Sequence, residues 1–322
     1  MDDDAQMDPA APLAPALGGL AAQARDYVQA GVAENTRRAY RAAWADFCGW
    51  CQRYDRTPLP AAPETVALYL TDLSGRRRVA TLQQRLNAIG KAHRAAGFDP
   101  PGRDGVVRVV WSGIRRQKGT AQHGKAPLVT ADLRRLLACL GPGPATARDR
   151  ALLLLGYAGA LRRSELVALD VQDVVWAREG LRITVRRSKT DQEGAGETVG
   201  IPYGSHLETC PVRALGAWLE AAGIAAGALF RPVDRHGNIG SARLGDRSVA
   251  LVVQRACARA GLDPAAYAGH SLRAGLATAA AAAGVPERVI MAQTRHRSVT
   301  TLRRYIREGS LFRENAAAEV GL

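Results

Sequence analysis

Four residues in the last quarter of the chain have the types and spacing for phosphoryl chemistry. His270 and Arg273 lie three positions apart, His296 follows, and Tyr305 stands nine positions further on. A tyrosine hydroxyl, with a pKa of roughly 10, attacks only if another group takes its proton, and histidine is suited to that task. An arginine neutralises phosphate oxygens. At i and i+3, His270 and Arg273 would share one face of a helix start, where backbone N–H groups also favour an anion. Gly269 before them allows a tight entry. An H-x-x-R pair alone is more often a surface accident, so its weight depends on the rest of the chain.

Upstream, Arg162 follows the apolar run Leu152–Leu155, and Glu165 three residues later is placed to hold local geometry. Lys189 is the only lysine after Lys125, in a chain whose lysines are confined to Lys91, Lys118, Lys125 and Lys189. An ammonium near 10.4 can be tuned to release its proton, whereas a guanidinium above 12 cannot. Lys189 is therefore the candidate acid for a departing alkoxide, although taken alone it reads as an exposed turn lysine.

These groups need elements to carry them. Residues 1–24 hold three prolines and no lasting periodicity, which reads as a disordered tail. From residue 25 to 118 the pattern is helical. Glu34-Asn35-Thr36 resembles an N-cap region, and Tyr40, Trp44, Phe47 and Trp50 form a core-facing stripe that leaves Arg37, Arg38 and Arg41 outside. Further helices are expected over Glu64–Leu73, Ala80–Ala96 and Asp104–Gln117. Their basic clusters, Arg76-Arg77-Arg78 and Arg115-Arg116 with Lys118, read together as phosphate contacts.

Residues 119–127 lack apolar periodicity and are expected to link this domain to a second one, 128–322. There a helix capped at Thr130-Ala131-Asp132 and another over Ala145–Tyr157 precede two strands. Leu181, Ile183 and Val185 alternate with Arg182, Thr184 and Arg186, and a second strand spans Thr198–Ile201. Lys189 would sit on the hairpin between them. Helices resume over Val212–Ala222, Asp246–Ala260, Ser271–Ala283, Pro286–Thr294 and Val299–Ile306, ahead of an amphipathic tail from Ser310. The fold class expected is mainly α, an all-helical domain followed by an α+β domain with a small antiparallel sheet.

Composition agrees with a polyanionic partner. The 322 residues carry 44 Lys+Arg against 30 Asp+Glu, a formal charge of +14. Five cysteines, an odd number, do not suggest a disulfide framework. Cys48 and Cys51 fall inside a helical pattern and read as core packing rather than a redox or zinc half-site. The acidic start is unlike a secretory signal, and the longest apolar run, Ala151–Leu161, is short of the ~20 residues that span a bilayer. A cytoplasmic protein with reduced thiols is expected.

Arg162-x-x-Glu165, Lys189 on a hairpin, His270-x-x-Arg273, His296 and Tyr305 together resemble the signature of the tyrosine recombinases, the phage integrase family. The resemblance extends over residues 25–315. It departs where Arg163 replaces a commonly apolar residue and where Thr294-Arg295 replaces a frequent Leu-Gly. It implies a SAM-like helical core-binding domain ahead of a catalytic domain. It also implies site-specific cleavage and rejoining of double-stranded DNA, with Tyr305 as nucleophile. Arg162, Lys189, His270, Arg273 and His296 would be the other catalytic residues and Glu165 their support, with no metal or other cofactor. Partners implied are a specific DNA site, further copies of the chain in a tetramer on paired sites, and accessory DNA-bending proteins. Two alternatives stand beside it: a type IB topoisomerase, which would relax supercoiled DNA without a required sequence, and a catalytically silent DNA-binding protein.

Overall fold

A computed structural model describes residues 34–119, 124–186 and 196–296, scattered positions between 17 and 31, and residues 298–300, 302, 303 and 305. It divides between residues 122 and 123 into two compact units. Within the stretch expected to be a disordered tail, Leu17, Gly19, Leu20, Gln23 and Ala24 are helical, as the Ala/Leu-rich sequence after Pro15 favours. The remainder of that tail, Lys189 with most of its hairpin, and the C-terminal tail lie outside the described residues.

Beyond the scattered N-terminal positions, the described residues of the first unit include four α-helices: α1 Glu34–Arg53, α2 Pro63–Ser74, α3 Val79–Ala95 and α4 Gly105–Lys118. Two of them begin where local chemistry favours it. Pro63 opens α2 with its fixed φ, and the Asp104 side chain accepts from the Val106 N–H, 2.8 Å, at the start of α4. Phe47, Trp50, Cys51, Tyr69, Leu70, Leu82 and Ile89 form the core. Phe47 meets Tyr69 edge-on with ring centroids 5.0 Å apart. The polar atoms of three buried rings are bonded. Tyr69 Oη donates to Asp46 Oδ2 at 2.6 Å, and Trp50 Nε1 to Asp72 Oδ2 at 2.8 Å. His93 bonds the Ile89 carbonyl through Nδ1 and accepts the Ala61 N–H at Nε2. Burial, with Cys48 nearby, pushes the Cys51 thiol up to about 11, so it packs as a small hydrophobe.

The second unit contains α5 Thr130–Ala138, α6 Pro144–Ala158, α7 Arg163–Ala168, α8 Pro211–Ala222, α9 Asp246–Arg259, α10 His270–Ala282 and α11 Glu287–Thr294. Residues 299, 300, 302, 303 and 305 are also helical. Strands β1 Val174–Ala177, β2 Gly180–Val185 and β3 Glu197–Pro202 make one antiparallel sheet in that order, with Val174 opposite Ile183 and Leu181 opposite Ile201. Leu181, Ile183, Val185, Val199 and Ile201 face the core while Arg182, Thr184 and Gly200 do not. β1 escapes detection in the sequence because it is four residues long and has no alternating burial.

Helix α6 is the axis of this unit, buried from Ala151 to Tyr157. At Gly156 an added Cβ would come within 2.9 Å of Leu272 Cδ1 and 3.1 Å of Leu166 Cδ2, so its absence lets α7 and α10 close on α6. One expectation is corrected here. Thr130 does not cap α5; Val129 holds the cap position, and Thr130 Oγ1 instead bonds Tyr157 Oη at 2.7 Å, because a buried phenol needs a partner. Just before α5, the Ala126 and Leu128 N–H groups bond the carbonyls of Ala266 and Ser271, both at 2.9 Å.

Candidate active site

The site is assembled where the C-terminal end of α6, the N-terminal ends of α7 and α10, and the segment after α11 converge. Arg162 is the cap residue of α7 in extended conformation. Glu165, third in that helix, reaches back to accept the Arg162 backbone N–H at 2.9 Å, as an acidic residue at this position of a capping box does. Its other oxygen accepts Arg162 Nη1 at 2.5 Å. The carboxylate is 2% exposed. Burial alone would raise its pKa, but Arg295, then the hydrogen bonds and charge of Arg162, hold it below the usual carboxylate range.

Arg273, on the first turn of α10, is 1% exposed. Its Nη1 donates to the Ala160 carbonyl at 2.8 Å, and its Nη2 is buried without a hydrogen-bond partner among the described residues. Burial, then the neighbouring Arg162, lowers its pKa to about 10, which leaves it charged at neutral pH. Ala160 has a φ of 45°, and this left-handed turn brings its carbonyl to the site.

His270, exposed at the start of the same helix, has Nε2 2.8 Å from Tyr305 Oη. His270 and Arg273, expected to share one face of the helix start, reach different partners: the first the tyrosine, the second the Ala160 carbonyl. Gly269 has φ −58°, so its entry is helical; the glycine instead leaves room for Arg163 Cδ, 3.3 Å from a would-be Cβ.

His296 stacks near the same tyrosine, ring centroids 6.1 Å apart. Its proton arrangement follows from Thr294. That hydroxyl spends its single proton on the Ile290 carbonyl at 2.6 Å, so at the 2.7 Å contact His296 Nδ1 must be the donor. Burial first, then Arg273, Arg162, His270 and Arg295, depress the His296 pKa to about 4. At neutral pH the ring is uncharged, and its Nε2 is an acceptor.

One residue of the site was passed over in the sequence. Arg295, read there only as part of a departure from the family pattern, is 8% exposed and donates from Nη2 to Glu165 Oε2 at 2.9 Å. The signal available was a long cationic side chain directly before His296. Lys189 lies outside the described residues. In the first unit, Lys118 Nζ bonds the Ser74 carbonyl, which brings the Arg115-Arg116 end of α4 to the Arg76-Arg77-Arg78 end of α2. Arg37 and Arg41 pair with Glu34, and Arg38 with Asn35, along the first turns of α1. Among the described residues there is no group of three or more metal-ligating side chains, and no helix long and apolar enough to cross a membrane.

Comparison with known proteins follows the same lines. The family model described as phage integrase family matches residues 128–310. An integrase/recombinase of Selenomonas ruminantium, described as an XerD homolog, is 43% identical over 301 residues, spanning 92% of this chain and 88% of its own. The Cre recombinase of Escherichia phage P1 is 26% identical over 294 residues, 85% of this chain and 84% of that one. Among solved structures, a lambda integrase dimer bound to a COC′ core site superposes with a TM-score of 0.60 at 16% identity, over 92% of this chain and 96% of that chain. XerH recombinase bound to palindromic difH substrate, a post-cleavage complex, gives 0.59 at 18% identity, over 80% and 71%. These likenesses establish the fold.

Proposed function

The chain belongs to the phage integrase family, and from that premise we propose that it is a site-specific DNA recombinase in which Tyr305 cuts and rejoins strands. Tyr305 Oη attacks the scissile phosphorus, the bond to the 5′-oxygen breaks, and a 3′-phosphotyrosyl link with a free 5′-hydroxyl results. His270 Nε2 takes the tyrosine proton as the bond forms. Arg162 and Arg273 hold the non-bridging oxygens as negative charge grows on the phosphorane. Each such preorganised donor contributes about a hundred- to a thousandfold in rate. Lys189 protonates the departing 5′-oxygen. One phosphodiester replaces another of similar energy, so the exchange needs no nucleotide hydrolysis.

His296 has two states in this scheme. As a neutral ring it accepts at Nε2; it donates to a phosphate oxygen only after taking a proton, which the arriving anion favours. The basic ends of α2 and α4, with Arg37, Arg38 and Arg41, grip the DNA backbone. The working assembly is a tetramer on two paired sites, acting in the cytoplasm, with DNA-bending proteins as accessory partners.

The observation that carries this reading is the 2.8 Å contact of His270 with Tyr305 beside a buried arginine pair. The test is a nicked suicide substrate made from DNA flanking the gene, run on a denaturing gel. Wild type should give a slow, protease-sensitive band and Tyr305→Phe none. An adduct that survives the substitution would place the nucleophile elsewhere.

A further inference from the structure

Arg295 ends α11 with φ 54° and ψ 44°, a left-handed conformation. Helices commonly end this way, but glycine is the residue that does so without strain. A long side chain at such a position needs a reason, and the reason lies in what it reaches. The guanidinium passes into the interior and donates from Nη2 to Glu165 Oε2 at 2.9 Å and to the Ala160 carbonyl at 3.4 Å. That carbonyl is also the one that holds Arg273. The Nε and Nη1 of Arg295 are buried and make no hydrogen bond among the described residues.

Two guanidiniums, those of Arg162 and Arg295, thus bond one carboxylate, and Arg273 shares the Ala160 carbonyl with Arg295. Without Arg295, Glu165 would pair with Arg162 alone, and that pair would contribute almost no net charge to an incoming phosphate. With it, the carboxylate is divided: Oε1 faces Arg162 Nη1, and Oε2 is shared between the Arg162 backbone N–H and Arg295. A buried carboxylate that is already compensated can orient Arg162 without neutralising it.

We propose that Arg295 is a positioning residue of the recombination site: it takes up the charge of Glu165 so that Arg162 keeps its own for the phosphodiester. It acts through Glu165 and Arg162. The inference rests on the recombinase reading, and its test separates the two.

The experiment is single-turnover cleavage of the suicide substrate by wild type, Arg295→Gly, Arg295→Lys, Glu165→Gln and the double variant Glu165→Gln/Arg295→Gly, with Tm measured for each. Arg295→Gly removes the charge and relieves the backbone, and its cleavage rate should fall roughly tenfold or more with the fold retained. Arg295→Lys keeps the charge and should lose less. Removing the negative charge at 165 should return most of the rate lost in Arg295→Gly, a rescue that a packing role for Arg295 does not produce. A double variant no faster than Arg295→Gly, or a lysine variant as slow as the glycine one, would overturn the proposal. If Arg295→Gly does not fold, Arg295→Lys against wild type decides: a loss of roughly tenfold or more at unchanged Tm would overturn the proposal. Wild type that forms no adduct would remove the recombinase reading itself, and this assignment with it.

Discussion

The two halves of the site are built to opposite specifications. Around Glu165 the charged groups are largely buried: Arg273 at 1% exposure, Glu165 at 2%, Arg295 at 8%. Around Tyr305 the groups are open: His270 is exposed, the tyrosine is half-buried, and their one bond joins two separate elements. Charge that must stabilise a phosphorane is most effective when fixed and desolvated beforehand. A nucleophile must approach, react and later leave, so burying it deeply would work against it. The first half therefore carries fold stability as well as chemistry, and the second carries chemistry alone.

That contrast can be broken at several points. The largest effect is expected from Tyr305→Phe, with complete loss of the covalent adduct and an unchanged Tm; a large fall in Tm would show that the tyrosine corner is structural after all. Arg273→Ala should reduce single-turnover cleavage by about a hundred- to a thousandfold and also lower Tm, which rate and melting measurements on one preparation would reveal together. Glu165→Ala strips two arginines of their buried counter-charge and should cost about 3 kcal/mol in denaturant unfolding. Equal stability would mean the arginine corner is wetter than its exposures indicate.

A finer test uses pH. His296 is depressed to about 4 in the fold, below the ordinary value of 6.5. Between those values the unfolded chain holds more protons than the folded one, so stability of the DNA-free protein should fall as pH drops from 6.5 toward 4 and be flat above. His296→Gln should remove that slope between pH 6.5 and 5, above the range where carboxylates titrate. Smallest of all, Arg115→Ala should weaken DNA binding a few-fold across all sequences and reduce the salt slope by about 1.

Much of this was legible beforehand because its signals are local. The stripe of Trp44, Phe47 and Trp50 marks α1 from the 3.6-residue period alone, and the alternation at Leu181, Ile183 and Val185 marks β2 in the same way. The pairing of Arg162 with Glu165 could be anticipated because it spans three residues. Arg295 could not, since its partner is 130 positions away and only the folded chain brings them together. The proton arrangement of His296 was hidden for a related reason: it depends on where the Thr294 hydroxyl points. Thr130 misled because a hydroxyl at a helix start has two uses, and here a buried phenol claimed it.

The stretch just before α5 has no regular secondary structure, yet it is among the least separable parts of the chain. A Cβ on Gly275 would stand 1.8 Å from the Leu128 carbonyl oxygen, so this segment and α10 lie backbone against backbone, two residues beyond Arg273. For anyone who would cut, permute or insert into this protein, the usual guidance to choose loops fails here. Opening the chain between 126 and 129 would loosen the helix that carries His270 and Arg273, so the region that looks most like a spacer is in effect part of the catalytic helix's mounting.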